Sequence, residues 1–153
     1  MSYESKLKEM GLELPVAPKP VAAYVPAVKT GEYVFTSGQL PFVNGELKYA
    51  GKVGAGLNEK EAYEAAKVSA LNCLSVIKAQ IGSLDNIEKI VKLTCFVNSA
   101  PNFTKQPQVA NGASELLFQV FGEAGQHSRS AVGVSELPMD AAVEVEMIVK
   151  TKE

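Results

Sequence analysis

A long segment with a single apolar stripe limits the folds open to this chain more than any other feature. Its small and aliphatic residues recur at spacings of three and four, the period of an α-helix. They are Ala62, Ala66, Ala70, Cys73, Ile77 and Ile81. Asn58 and Glu61 have the spacing of a capping box, and Gly82 is a typical helix end. The sequence therefore predicts a helix of about six turns that buries one face.

Shorter runs with strand and helix patterns flank this helix. We predict a hairpin from residues 22–29 and 33–37, a weaker strand over 47–53, and further strands over 87–97, 128–135 and 142–151. A second helix begins near Pro107 and ends before Gly122. Gly112 lies inside it, which indicates either close packing or a local opening of the helix.

The order of these elements favours one α+β domain. Strand–helix–strand occurs twice, so the simplest packing is a mixed sheet of about six strands with two helices on one face. A short amphipathic stretch from Tyr3 to Met10 and several prolines precede it. We therefore assign residues 1–20 to an N-terminal helix and extended arm, and residues 21–153 to a single domain. Since the helices cover only one face of an apolar sheet, we expect the chain to oligomerise through the other.

Charge and composition argue against several classes of protein. The chain has 153 residues, 46% of them hydrophobic, which is enough for a single hydrophobic core. Its formal net charge of -2 disfavours nucleic acid as a partner. We expect no membrane span and a cytoplasmic location, because no apolar stretch approaches the length of a span or of a signal-peptide core. Cys73 and Cys95 have no neighbouring metal ligands, so we expect buried reduced thiols, no metal and no cofactor.

The rarest basic side chains lie close together near the C-terminus. Arg129 is the only arginine among 15 basic residues, and His127, the only histidine, precedes it by two positions. Arginine has a planar fork of donors that fits a carboxylate. Strand alternation places Arg129 and Ala131 on one face, and we expect the last two strands to form a hairpin that brings Glu144 to the same face.

Two interpretations of the arginine and the carboxylate stay open. They form either a cross-strand salt bridge on a solvated face or the floor of a pocket for a small carboxylate. The strand break at Ser37, Gly38 and Gln39 supplies hydroxyl, amide and backbone donors of the kind that orient such a ligand. His127 is either a general base or a packed loop histidine.

Two segments of the chain resemble the signatures of the Rid family, the reactive-intermediate deaminase or YjgF-like proteins. Residues 33–41 (YVFTSGQLP) are similar to its early signature. Residues 129–134 (RSAVGV), followed by LP at 137–138 and VEVE at 143–146, are similar to its C-terminal one. The resemblance runs from about residue 21 to residue 149. Tyr24 and Asn111 also occupy positions where that family places active-site residues.

The resemblance implies a fold, an assembly and a reaction. The fold is a chorismate-mutase-like subunit, and three subunits pack through their sheets into a homotrimer with a cleft between each pair of neighbours. The reaction is hydrolysis of reactive enamine and imine acids, such as 2-aminoacrylate, to a 2-keto acid and ammonia. Arg129 would bind the substrate carboxylate, and Glu144 would position or deprotonate the attacking water. The remaining residues of the implied cleft are Tyr24, Ser37, Gly38, Gln39, Asn111, Ala131 and His127.

Some residues depart from the pattern of the family. The best-studied branch commonly has cysteine where this chain has Ala131. The N-terminal arm, Gly133 and the approach over residues 125–128 indicate a separate branch. Two other functions therefore stay open. One is non-catalytic binding or regulation by small carboxylates. The other is ribonuclease activity or translation inhibition, labels also attached to this family, which the negative net charge and the single histidine disfavour.

Overall fold

The computed structural model describes residues 1–19 and 23–153. The predicted strand start at residue 22 and the predicted domain division between residues 20 and 21 lie outside the described residues. The helices are α1 (Tyr3–Glu9), α2 (Glu59–Ile81) and α3 (Gln106–Phe121). The strands are β1 (Ala27–Thr30), β2 (Tyr33–Thr36), β3 (Phe42–Val43), β4 (Glu46–Leu47), β5 (Ile87–Asn98), β6 (Ser128–Val134) and β7 (Val143–Thr151).

Five of the strands form the main sheet, in the order β1-β2-β7-β5-β6. The pair β5 and β6 is parallel and the other neighbours are antiparallel, so the predicted mixed sheet is confirmed. In place of the predicted strand over 47–53, β3 and β4 form a separate two-stranded sheet. Asn44 and Gly45 join them with φ of 51° and 80°. An Asn-Gly pair adopts this left-handed geometry readily, which explains the tight hairpin.

The predicted hairpin of the last two strands is wrong, because β5 lies between them. β5 pairs with β6 on one edge and with β7 on the other. Helix α3 connects β5 to β6 as the crossover that parallel neighbours require. The chain then passes through a 3-10 turn at Pro138–Asp140, where Met139 and Asp140 both have a φ of 57°, and enters the sheet on the far side of β5.

Helices α2 and α3 lie on one face of the sheet and enclose the core. The side chains of β5 and β7 that face them are fully or almost fully buried. They include Leu93, Cys95, Val97, Val143, Val145, Met147 and Val149. The other face is open in the single chain, with Val28, Phe35 and Val132 exposed to 50%, 41% and 43%. The arrangement of two helices on one face is thus confirmed, while oligomerisation through the other face stays a prediction.

The ends of α2 follow the sequence prediction. The Asn58 side chain accepts a hydrogen bond from the Glu61 backbone at 2.8 Å, and the Glu61 side chain accepts one from the Asn58 backbone at 3.1 Å. Such a cap stabilises a helix by about 1 kcal/mol. At the other end, Gly82 has a φ of 85° and its N–H donates to the Lys78 carbonyl. The capping box and the glycine end are confirmed.

The short helix α1 packs at the C-terminal end of α3. The ring of Tyr3 lies 4.4 Å from the ring of Phe121, and Leu7 is 2% exposed. The Tyr3 backbone N–H donates to the Asp85 carboxylate at 2.8 Å. Helix α1 is therefore joined to the main core by both apolar and polar contacts.

Both cysteines are free and buried, as expected. Burial raises the pKa of each thiol to about 12, so neither is a thiolate at neutral pH.

Gly112 marks the closest approach of α2 and α3. A Cβ atom at this position would overlap the backbone carbonyl of Tyr63 in α2. Of the two explanations for this glycine, close packing is therefore the correct one. Backbone atoms of a packed helix cannot move aside as a flexible side chain can.

We expect Gly112→Ala to lower the free energy of unfolding by about 1–3 kcal/mol, because overpacking outweighs the higher helix propensity of alanine. Urea denaturation measures the change. Gly56→Ala is the matched control, since no atom lies within 4 Å of the added methyl group and its φ is outside the left-handed region. A Gly112→Ala protein as stable as the control would contradict this packing.

Candidate functional site

Arg129 lies on β6 and points toward the helices. It pairs with Leu93 of β5, whose side chain is fully buried on the helix-covered face. One terminal nitrogen of its guanidinium donates to Asn111 Oδ1 at 2.8 Å and to Ser114 Oγ at 3.1 Å. Asn111 and Ser114 are three residues apart on α3 and so share one face of the helix. Two neutral oxygen atoms therefore hold the guanidinium in place.

His127 extends this group of polar contacts. Its Nε2 atom lies 2.9 Å from Ser114 Oγ, and its Nδ1 atom lies 2.7 Å from the carbonyl oxygen of Gly125. Burial lowers the pKa of His127, and the positive charges of Arg129 and Lys89 lower it further, against the opposing hydrogen bond to Gly125. The ring is therefore neutral at pH 7. We call Arg129, Asn111, Ser114 and His127 the arginine cluster.

A cavity of about 280 Å³ adjoins the arginine cluster. Its walls are Ser114, Phe118, Gly125, Gln126, His127 and Arg129. Ala131, two residues along β6, is half-buried against the core and pairs with Cys95. Arg129, His127, Asn111 and Ala131 are predicted from the sequence, whereas Ser114 is not. Its spacing of three from Asn111 on a predicted helix was the available signal.

The second group of predicted residues surrounds the end of β2. The Ser37 hydroxyl donates to the Val25 carbonyl at 2.7 Å, and the Ser37 backbone N–H donates to the Pro26 carbonyl at 2.8 Å. Gln39 and Val145 exchange two backbone hydrogen bonds, of 2.8 and 3.0 Å. These bonds fix the loop over residues 37–39 beside the start of β7.

Glu144 completes this second group. A Cβ atom on Gly38 would lie 2.7 Å from Glu144 Cδ, so the loop passes close to the carboxylate and a larger residue at this position would displace the Glu144 side chain. Burial raises the pKa of Glu144, and the negative charge of Glu146 raises it further. We call Tyr24, Ser37, Gly38, Gln39 and Glu144 the loop cluster.

A second cavity, of about 260 Å³, adjoins the loop cluster. Tyr24 lines it and is 66% exposed. Ser37, Gly38 and Gln39 also line it, together with Pro18 and Lys19 of the N-terminal segment. The N-terminal segment thus contributes to a candidate site, which the sequence analysis did not predict.

One protomer does not bring the two clusters together. Arg129 lies on the helix-covered face, whereas Glu144 pairs with Phe96 on the open face, and β5 separates their strands. The predicted shared face of Arg129 and Glu144 is therefore wrong, for the same reason as the hairpin. The alternative of a cross-strand salt bridge is wrong too, since within residues 1–19 and 23–153 the one ion pair joins Lys150 to Glu88.

The part of the chain that the structure describes contains no group of three His, Cys, Asp or Glu side chains that could hold a metal ion. No helix in the same ranges has the length and apolar character needed to cross a membrane.

Comparisons with known proteins cover almost the whole chain. The model of the family described as "YjgF/chorismate mutase-like, putative endoribonuclease" matches residues 4–150. Protein TCP17 of Trypanosoma cruzi is 45% identical over 147 residues, which are 95% of this chain and 92% of that protein. The crystal structure of Atu1372, a protein of unknown function from Agrobacterium tumefaciens, superposes with a TM-score of 0.93 at 42% identity, covering 98% of this chain and 92% of that one.

A further relative has an activity in its name. The 2-iminobutanoate/2-iminopropanoate deaminase of Dermatophagoides farinae is 30% identical over 138 residues, which are 90% of this chain and 93% of that protein. The family match over residues 4–150 spans both the arginine cluster and the loop cluster.

We expect Glu144→Gln to raise the melting temperature at pH 7. The pKa of Glu144 is higher in the folded chain than the ordinary value of 4.5, so its ionised form destabilises the fold above that pH. As the pH falls below 4.5 the carboxyl group becomes protonated in both states, and the difference from the wild type should shrink toward zero. Thermal unfolding between pH 4 and pH 7 measures it, with the exposed Glu46→Gln as the matched control. A gain that does not depend on pH would contradict this cause.

Proposed function

Because the chain belongs to the Rid family of YjgF-like proteins, we propose that it is a deaminase that hydrolyses reactive 2-enamine and 2-imine acids. Substrates of the 2-aminoacrylate or 2-iminopropanoate type would give a 2-keto acid and ammonia. The name of the Dermatophagoides farinae relative supports this reaction. The observation that carries the proposal is the arrangement of Arg129, a positive charge held beside a cavity by neutral acceptors.

Arg129 is suited to bind the carboxylate of such a substrate. Asn111 and Ser114 orient its guanidinium but do not neutralise its charge, because both offer uncharged oxygen atoms. Within the described ranges no protein carboxylate pairs with it. A substrate carboxylate would complete the pair through short, charge-assisted hydrogen bonds. The charge is thus in place before the substrate binds, which lowers the cost of ordering the site.

The separation of the two clusters supports an active site between subunits. We propose a homotrimer packed through the open faces of its sheets, where Val28, Phe35 and Val132 are exposed apolar side chains. Because β6 is an edge strand of the sheet, its arginine cluster would lie at the rim of this interface and face the loop cluster of the neighbouring protomer in each inter-subunit cleft. Arg129 and Glu144 would then act on the same substrate although one chain holds them apart.

Glu144 is suited to transfer protons in this cleft. Burial and Glu146 raise the pKa of Glu144 toward neutral pH. A group whose pKa is near the working pH both accepts and returns a proton efficiently. Water attacks the imine carbon as Glu144 takes one of its protons, and a C–O bond forms. Glu144 returns this proton to nitrogen and then transfers the proton of the new hydroxyl group to nitrogen as well. The C–N bond breaks as the C=O bond forms, and ammonia leaves. The imine carbon is already electrophilic, so positioning and proton transfer suffice.

The other residues of the clusters would orient the substrate. Tyr24, the Ser37 hydroxyl and the Gln39 side chain border the loop-cluster cavity and offer hydrogen bonds to the substrate nitrogen or to the water. Gly38 leaves room for this contact beside Glu144. On the opposite wall, Asn111 and the backbone near Ala131 would hold the carboxylate end. The ligand is thus a small molecule that carries a carboxylate.

We expect Arg129→Ala to lower kcat/KM for 2-iminopropanoate by about 30-fold or more, because truncating one partner of a desolvated charge pair costs about 2–5 kcal/mol. Ammonia release from the enzymatically generated imine measures the rate. Lys78→Ala removes an equal charge from an exposed site on α2 and should leave the rate unchanged. An Arg129→Ala protein with the wild-type rate would rule out this function.

We expect activity to return when inactive Arg129→Ala and Glu144→Gln chains are unfolded together, mixed in equal amounts and refolded. Random assembly leaves both side chains intact in about one quarter of the clefts, so about a quarter of the wild-type activity should be regained. The two variants refolded separately are the controls. A mixture as inactive as its components would contradict a site shared between subunits.

Non-catalytic binding of small carboxylates is the second candidate function, because the same arrangement of Arg129 supports it without a reaction. Binding of pyruvate by the wild type, with no ammonia release from any imine, would establish it. The word endoribonuclease in the family description motivates a test of RNA cleavage as well. Cleavage that persists in the Arg129→Ala/Glu144→Gln double variant would point to a contaminating nuclease.

A further inference from the structure

The Ser114 hydroxyl group joins Arg129 to His127. It lies 3.1 Å from the Arg129 guanidinium and 2.9 Å from His127 Nε2. Arginine nitrogens only donate, so the Ser114 oxygen accepts from Arg129. The hydroxyl hydrogen is then free to point at His127. This hydrogen bond requires a lone pair on Nε2, and hence an Nε2 atom that carries no proton.

The backbone of Gly125 fixes the proton on the other ring nitrogen. Its carbonyl oxygen lies 2.7 Å from His127 Nδ1 and can only accept, so Nδ1 carries the hydrogen. A Cβ atom on Gly125 would overlap the Leu117 carbonyl of α3, so this segment lies directly against the helix and holds its carbonyl in place. The hydrogen bonds therefore run in one direction, from Arg129 to Ser114, to His127, to Gly125.

We propose that neutral His127 is a positioning residue, which acts through Ser114 to orient the Arg129 guanidinium toward a substrate carboxylate. This inference rests on the proposed function of Arg129. A serine hydroxyl rotates freely when it has no acceptor, and a long arginine side chain has many rotamers. The fixed acceptor on His127 restricts the rotation of the Ser114 hydroxyl and thereby the rotamers of Arg129. Hydrogen bonds behind a binding residue commonly hold it in place in this way.

The charges around His127 favour the neutral ring that this role requires. Arg129 on β6 and Lys89 on β5 both lower its pKa, in addition to the effect of burial. Protonation would turn Nε2 into a donor and place a second positive charge beside Arg129. The hydroxyl hydrogen of Ser114 would then lose its acceptor.

The binding of pyruvate, measured by titration calorimetry, tests the role without depending on turnover. We expect Ser114→Ala and His127→Phe each to weaken binding about three- to tenfold, the effect of one neutral hydrogen bond. His127→Gln keeps an acceptor for Ser114 and should bind within about twofold of the wild type. Ser69→Ala is the matched control, a helix serine whose buried hydroxyl has no hydrogen-bond partner among the described residues.

The effects of Ser114→Ala and His127→Phe on pyruvate affinity should not be additive. Because Ser114 and His127 act along one path, the Ser114→Ala/His127→Phe double variant should bind pyruvate as Ser114→Ala does. In turnover, the single variants should raise KM and leave kcat within about twofold, because the carboxylate contact is made equally in the ground and transition states. A loss of stability alone would lower the folded fraction and the apparent kcat instead.

The single histidine also allows the ring to be observed directly by nitrogen NMR. We expect one neutral ring with the proton on Nδ1 at pH 7, and a higher pKa in Arg129→Ala because a nearby positive charge is removed. A proton on Nε2 at pH 7 would overturn the proposal. So would wild-type affinity in His127→Phe, or additive effects in the double variant.

The outcomes separate this inference from the proposed function. Wild-type protein that binds pyruvate and releases no ammonia from imines would end the deaminase proposal while the role of His127 is still measured by binding. If the wild type deaminates imines and His127→Phe binds pyruvate as tightly as the wild type, only the positioning role of His127 is ruled out.

Discussion

Strand β5 is hydrogen-bonded to a neighbour along both edges, and the positions of the candidate residues depend on this pairing. Its parallel partner β6 carries Arg129 on the helix-covered face, and its antiparallel partner β7 carries Glu144 on the open face. The 12-residue strand β5 thus lies between the two strands that carry Arg129 and Glu144, although these residues are close in sequence. The same pairing leaves one apolar face of the sheet without a helix to cover it.

Two glycines allow the backbone to pass close to a neighbouring segment or side chain, and these close contacts position the residues of both clusters. At Gly112, α3 packs directly on the backbone of α2, which places Asn111 and Ser114 over β6. At Gly38, the loop after β2 passes against the side chain of Glu144 and partly removes it from water. At Gly112 a side chain larger than hydrogen would push the two helices apart, whereas at Gly38 it would displace the flexible side chain of Glu144. The geometry of the clusters therefore follows from the packing of the fold around them.

The two clusters differ in their electrostatics in a way that fits the proposed reaction. Arg129 is held by neutral groups and keeps its full charge, while Glu144 is destabilised as an anion by burial and by Glu146. A fixed cation binds an anionic substrate, and a carboxylate with a raised pKa exchanges protons. Neutral His127 is one of the uncharged groups of the arginine cluster, since it offers a lone pair to Ser114 rather than a charge to the substrate.

The sequence by itself determined the local features of this protein. Helical period located α2 and α3, with a capping box at the start of α2 and a proline and a glycine near the ends of α3. The rarity of arginine and histidine drew attention to Arg129 and His127. Only the tertiary structure decided which strands are neighbours, that Arg129 and Glu144 lie apart, and that Ser114 joins Arg129 to His127. The reason is physical. Period-two alternation tells which side chains of a strand share a face, but the backbone groups that pair strands are the same in almost every residue and do not specify the partner.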